Sequence, residues 1–299
     1  MERVTTDQMH RTMVSNIQAA QRRVMGTQEQ LSSGYSVNRP SDDPVKAARI
    51  MDLMAQSSQL EQYQQNIQQA ASWSRASEDA ISQGAEIVQR VRILLLQGAN
   101  DSTSATSRAS IAGEITNLVD SIKLLGNSKL GDEFIFAGTK TTTSPFSVAG
   151  PDTYQGDGGS IMRAIGPGET ASVATTGLAA FGDGSSGLIS VLRSIASNLT
   201  TNTAVSIASL RGANLQALDA SLETLSSIRS TAGELQYKLD MQESRLGDLS
   251  VANMELLSLT RDTDLAEASA QFSQQAAALT AALKTGQQIV TPSLVDFMR

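Results

Sequence analysis

Apolar side chains recur every three or four residues at both ends of this chain, and the rhythm is lost only in its middle. Near the start, Met9, Met13, Ile17, Ala20, Val24, Thr27 and Leu31 keep that spacing. Near the end, Leu265, Ala268, Phe272, Gln275, Leu279 and Leu283 keep it too. Residues so spaced share one face of an α-helix, and such a face has to be buried against another element. Two of them at opposite ends imply a pair that meets within the chain or across neighbouring copies. That is a device for assembly rather than catalysis.

The first helix is predicted from about Thr6 to Ser32, with Gly34 placed to end it in a left-handed conformation. A turn-rich stretch, 34–44, then closes on Ser41, Asp42 and Asp43, which suit capping, and on Pro44, which suits a first helical turn. The second helix is predicted from Pro44 to Gln97. Its seam passes through Ile50, Leu53, Leu60, Ile67, Ala71, Ile81, Val88 and Leu95 in a heptad rhythm. At ~1.5 Å per residue it would be roughly 80 Å long. A third helix is expected from Ser107 to Leu125.

Between Gly131 and Gly187 glycine and threonine rise and the helical period disappears. Phe134-Ile135-Phe136 reads as strand, and Ser160 to Ile165 and Thr170 to Thr175 read as a hairpin about Gly166-Pro167-Gly168. Helix resumes from Leu188 to Leu199. A very long periodic segment follows, through Ile207, Leu218, Leu225, Leu239, Gln242, Leu246, Leu249, Asn253 and Leu256. Gly212, Gly233 and Gly247 each weaken it by up to ~1 kcal/mol, which makes a local bend possible. Polar Gln242 and Asn253 on the seam suit a role in fixing register. The last helix is expected from about Asp264 to Gln288, ending before Pro292. The predicted fold is mainly α: a long antiparallel helical rod, a coiled-coil-like bundle, with a small β-rich insert.

Composition narrows the function. The 299 residues are 40% hydrophobic but only 4% aromatic, a balance suited to long helices rather than to a compact enzyme core. The net charge of −7 argues against a nucleic-acid partner, because phosphate binding needs a basic surface. No cysteine is present, which excludes disulfides, thiol catalysis and cysteine-ligated metals. No apolar run approaches the ~18 residues of a membrane span, so no membrane insertion is expected. The opening residues lack an apolar signal core, so the general secretory route is not expected.

Candidate chemistry is sparse. His10, the sole histidine, lies on the first helix with no oriented partner evident, as a catalytic base would need. Asp262 and Asp264 suit helix capping better than a metal. Gly156-Asp157-Gly158-Gly159 and Gly182-Asp183-Gly184 lack the flanking lysine or full acidic spacing of phosphate or calcium loops and read as turns. Trp73 suits packing, and Asp42 and Asp43 suit a cap. No catalytic, cofactor-binding or metal residue is predicted, and no cofactor.

Three motifs carry a family resemblance. Leu31-Ser32-Ser33-Gly34, with Asn38, Asp42 and Asp43, resembles a signature of bacterial flagellins and their hook-associated relatives. Phe134-Ile135-Phe136-Ala137-Gly138-Thr139, followed by Ser144-Pro145-Phe146, is similar to a segment of the hook-associated protein 3 family, the hook–filament junction branch of the flagellin superfamily. Asp262-Thr263-Asp264-Leu265-Ala266-Glu267-Ala268 resembles the entry to that superfamily's last helix. The resemblance covers about residues 1–150 and 200–299.

This resemblance implies a structural subunit of the bacterial flagellum at the hook–filament junction, with filament flagellin as the alternative. It implies export by the flagellar type III apparatus and an extracellular location. Its implied partners are further copies in a homo-oligomeric ring, hook-associated protein 1, flagellin and a cytoplasmic export chaperone. It also implies five segments: 1–40, the N-terminal helix of an inner coiled-coil domain; 41–130 and 188–258, a helical rod domain; 131–187, the insert; and 259–299, the C-terminal helix of the inner domain. The expected assembly interface is Met9, Met13, Ile17, Val24, Leu31, Leu265, Phe272, Leu279 and Leu283. Such terminal helices are expected to be poorly ordered in the monomer, since most helix stability comes from burying a face.

Overall fold

The structure, a computed structural model, describes residues 2–147 and 150–296, with side chains described over 8–147 and 150–287. The element order is α1 (Glu2–Ser33), α2 (Pro44–Gly98), α3 (Ala105–Gly126), β1 (Lys129–Leu130), β2 (Glu133–Phe134), β3 (Met162–Gly166), β4 (Glu169–Ser172), α4 (Gly177–Phe181), α5 (Gly187–Thr201), α6 (Ala204–Ser209), a π-helical turn (Leu210–Asn214), α7 (Leu215–Arg261) and α8 (Leu265–Asp296). The fold is mainly α, with long helices and two small antiparallel ladders. It divides into two compact units: residues 1–59 with 249–299, and residues 60–248.

Helix boundaries follow local chemistry. Gly34 adopts φ 77° and its N–H donates to the Gln30 carbonyl at 2.8 Å, closing α1. The Asp43 carboxylate accepts from the N–H groups of Val45 (3.1 Å) and Lys46 (2.9 Å), ahead of Pro44 in the first turn of α2. Asp264 does the same for α8, accepting from Ala266 (2.8 Å) and Glu267 (3.2 Å). Thr203 and Ser206 form a reciprocal capping box on α6. The C-terminal carbonyls of α2 are taken by two arginines. Arg108 donates to Gly98 (2.8 Å) and Asn100 (2.8 Å), and Arg211 donates to Ala99 (2.8 and 2.6 Å).

The second unit holds the main core. Ile67, Ile81, Val88 and Leu95 of α2 pack with Ile115, Val119 and Ile122 of α3, Ile189 and Leu192 of α5, and Leu218, Leu225 and Leu239 of α7. Within this unit Glu78 pairs with Arg229 and Arg92 with Asp219, so α2 and α7 run antiparallel. Gly126 closes α3 where the Phe146 and Phe181 rings press against it. A Cβ there would lie 2.6 Å from the Phe146 ring and 3.5 Å from Phe181. Gly126→Ala is therefore expected to destabilise this unit by about 1–3 kcal/mol, read as a lowered thermal midpoint; an unchanged midpoint would contradict this packing.

Six expectations are corrected. The insert is less regular than its composition implies: beyond the two short ladders it contains α4, capped by Thr176, and otherwise loops. Of Phe134-Ile135-Phe136, only Phe134 stays in a ladder, while Ile135 and Phe136 turn into the core at 1% and 0% exposure. Burial of two large side chains on adjacent positions is incompatible with strand alternation. The predicted hairpin forms, but its strands pair over 162–166 and 169–172 with a register shift near Ile165. Pro167 and Gly168 (φ 73°) make the turn. The long C-terminal segment breaks at Gly212 into a π-turn, which places Arg211 against Ala99, whereas Gly233 and Gly247 stay in regular helix. Leu249 and Leu256, expected on its seam, are exposed, and α8 runs through Pro292 rather than stopping before it. Proline removes one internal hydrogen bond at a cost of ~3 kcal/mol, which the remaining turns outweigh.

Candidate assembly interface

In the first unit α1 and α8 lie side by side. Ala20, Thr27 and Ala268 are buried between them, and the Thr27 hydroxyl donates to the Gln275 amide oxygen at 2.9 Å. Met13, Ile17, Val24, Leu31, Phe272 and Leu279 are half-buried, whereas Met9, Leu265 and Leu283 are 63%, 57% and 44% exposed. Towards the end of α8 the face turned to α1 carries Ala282 and Gly286; a Cβ at Gly286 would sit 3.3 Å from the Met13 sulfur. Small residues here let the helices approach. With Met9, Met13 and Ile17 they line an apolar groove of about 680 Å³. Val14 and Met25 add exposed apolar surface outside the predicted stripe.

The first motif is a strap. The Ser36 N–H donates to the Arg261 carbonyl at 2.7 Å, and the Thr263 N–H to the Gly34 carbonyl at 2.9 Å. Tyr35 and Asp262 form an antiparallel bridge, and the Arg261 guanidinium stacks 4.1 Å over the Tyr35 ring. The Asp42 carboxylate accepts from the N–H groups of Asn38 (3.3 Å) and Arg39 (2.9 Å), and the Asn38 amide donates to the Tyr35 carbonyl (3.3 Å). Asp262 accepts from Ser258 and then Arg261, which hold its carboxyl below the ordinary carboxylate range. The α1–α2 loop is thus pinned to the α7–α8 joint, and the two terminal helices leave that joint together. Nearby, Asn253 is buried and its amide donates to the Leu53 carbonyl at 3.0 Å, a fixed point between α2 and α7 in this unit.

The second motif is a packing knot in the other unit. The Phe136 ring meets Phe181 edge-on at 5.3 Å, and Lys129 lies 4.4 Å over Phe134. The Phe136 carbonyl accepts from the Tyr154 hydroxyl and the Gly177 N–H, both at 2.8 Å. Burial, then the nearby Asp157 charge, push the Tyr154 phenol up to about 12, so it remains a donor. Gly138 takes φ 69°, and Thr139 donates to the Asp157 carboxylate from its N–H (2.7 Å) and its hydroxyl (2.5 Å). Those bonds hold Asp157 below its ordinary range. Asp183 is likewise occupied by the N–H groups of Ser185 and Ser186. Both glycine–aspartate stretches are turns whose carboxylates are spent on the backbone.

The periodic pattern missed a buried charge cluster. Lys123 on α3 is 1% exposed; its ammonium bonds Asp152 (2.5 Å) and the carbonyls of Ser147 and Gly150 (3.2 Å each). Arg193 on α5 completes the cluster through Asp152 at 2.7 Å. A lysine on the apolar face of a predicted helix, one step from Ile122, was its one sequence signal. Among the described residues no group of three or more His, Asp or Glu side chains converges as for a metal, and no helix is long and apolar enough to cross a membrane.

The fold, with its paired terminal helices strapped at one joint, is flagellin-like. The model of the bacterial flagellin N-terminal helical region matches residues 4–141. End to end, the chain is similar to flagellar hook-associated protein 3 of Salmonella typhimurium, 26% identical over 99% of this chain and 100% of that protein. It is 28% identical to the flagellar filament 30.7 kDa core protein of Treponema maltophilum, over 91% of this chain and 92% of that one. Its fold matches that of flagellar hook-associated protein 3 from Legionella pneumophila with a TM-score of 0.61, at 17% identity over 70% of this chain and 98% of that chain.

Proposed function

We propose that this chain is a subunit of the ring that joins the flagellar hook to the filament and adapts one lattice to the other. The observation that carries the reading is the end-to-end similarity to hook-associated protein 3. The terminal segments 1–40 and 259–299 act as an inner coiled-coil domain, 41–130 and 188–258 as a helical domain, and 131–187 as the insert domain. Further copies of the chain, hook-associated protein 1 and flagellin cover the exposed Met9, Leu265 and Leu283 and the groove beside Met13 and Ile17. A cytoplasmic chaperone shields the C-terminal region before type III export. The role is mechanical, with no catalysis, nucleic acid or membrane insertion involved.

A second reading, filament flagellin, is favoured by the near-equal similarity to the Treponema filament protein. Two measurements separate them. Deleting the gene should leave hooks intact while flagellin is shed into the medium, and a labelled copy should localise to the hook–filament boundary. Retained filaments in the deletion strain, or long filaments grown from the purified protein alone, would replace the first reading with the second.

A further inference from the structure

Methionine is ordinarily a core residue, and here it is not. Among the methionines whose side chains are described, none is buried: Met13 is half-buried, and every other one is at least half exposed. A thioether open to water undergoes one reaction with a small oxidant such as peroxide. The sulfur lone pair attacks one peroxide oxygen, the O–O bond breaks, and the departing hydroxide takes the proton from the oxygen that has been transferred. Sulfur is oxidised by two electrons and the peroxide is reduced to water. The product, methionine sulfoxide, is polar where the thioether was apolar. At an exposed position such as Met162 or Met241 the new oxygen meets water, and little is lost.

Met13 is placed differently. With Met9 it lines the groove of about 680 Å³ between α1 and α8, ample room for a molecule as small as hydrogen peroxide. Its side chain also covers Gly286 of α8, which is buried. A Cβ at Gly286 would lie 3.3 Å from the Met13 sulfur, 3.5 Å from its methyl group and 3.6 Å from Ile17. The same thioether is therefore open to the groove on one side and packed against the partner helix on the other. A sulfoxide formed there sets a strongly polar oxygen beside Gly286 and Ile17, where the seam is held by apolar contact alone. Burying a polar group without a partner opposes the pairing. We propose that Met13 is an oxidation site, reached by peroxide through the groove, and that its sulfoxide loosens α1 from α8. The inference concerns the single chain and stands independently of the junction role.

Hydrogen peroxide is added to the full-length protein at graded concentrations. Peptide mass spectrometry records the oxygen gained at each methionine, and amide hydrogen exchange reads the helix pairing. Met13 should be oxidised within about tenfold of the rate of Met162, since both thioethers meet solvent. Its oxidation should lower the protection of the α1 and α8 amides about tenfold and leave the thermal midpoint of the second unit unchanged. Met13→Leu, close in volume, should keep its protection in peroxide. Met13→Gln, which carries a polar oxygen at similar reach, should lose protection with no peroxide added. Treating the oxidised protein with methionine sulfoxide reductases should restore protection, and Met162→Leu should behave as wild type. A Met13 left unoxidised while Met162 is converted would overturn the proposal. So would equal losses in wild type and Met13→Leu, or α1 and α8 amides as unprotected before peroxide as after it.

Discussion

Leu279→Glu is expected to reduce incorporation into the flagellum below detection while the second unit unfolds at its wild-type temperature. Leu279 is half-buried on α8, on the face that carries Gln275, which bonds Thr27, and Ala282, which lines the groove with Met13. Removing a half-buried leucine forfeits about 1 kcal/mol, and forcing a carboxylate into an apolar seam adds several more. In the proposed ring the same loss recurs at every copy. The main core, from Leu60 to Leu246, lies wholly in the other unit, so its cooperative unfolding should not register the change. Comparison of mutant and wild-type protein in sheared flagella, beside calorimetry of the monomer, checks both halves. Equal incorporation would remove the terminal pair from the assembly interface.

Asp152→Ala should be the most damaging single change in the second unit. It strands the Lys123 ammonium, 1% exposed, with two carbonyls and no counter-charge. Removing one partner of a buried pair costs about 3–5 kcal/mol, which for a unit of this size lowers the thermal midpoint by about 10 °C. Adding Lys123→Met should recover part of the loss, because an apolar side chain of similar length needs no partner. The same cluster predicts acid sensitivity. Bonds from Arg193, then Lys123, lower the Asp152 carboxyl from 3.8 to about 2. Folding therefore favours its ionised form. That contribution is complete above pH ~4 and is lost as pH falls towards 2. A wild-type midpoint that stays level across that interval, or an Asp152→Ala variant as stable as wild type, would contradict the cluster's role.

Most of the helical framework was legible in the sequence. Apolar spacing located α1, α2, α3 and α5 to within a few residues of their observed ends, whereas α7 was merged with α6 and the π-turn before it. Of the capping candidates, Asp43 and Asp264 cap α2 and α8 and Gly34 ends α1, whereas Asp42 and Asp262 accept bonds from Asn38, Arg39, Ser258 and Arg261 instead; a cap or a left-handed glycine acts on backbone groups a few residues away. Both terminal stripes were legible as helix faces, and the structure adds that Thr27 on one bonds Gln275 on the other. At the end of α8, by contrast, Leu283 is exposed while Ala282 and Gly286 face α1.

What the linear pattern could not supply was pairing between distant residues. Lys123, Asp152 and Arg193 come from three separate stretches, and only the packing of α3 and α5 brings them together. Arg211 meets the end of α2 only because the π-turn aims it there. The insert's loops are stable because Tyr154, Asp157 and Asn127 satisfy backbone groups that no ladder reaches. Periodicity reports where a side chain points on its own element, a property of a few neighbouring residues. Which charge or carbonyl it meets depends on how whole elements pack, and that is settled only when burial makes an unmet polar group too costly to keep.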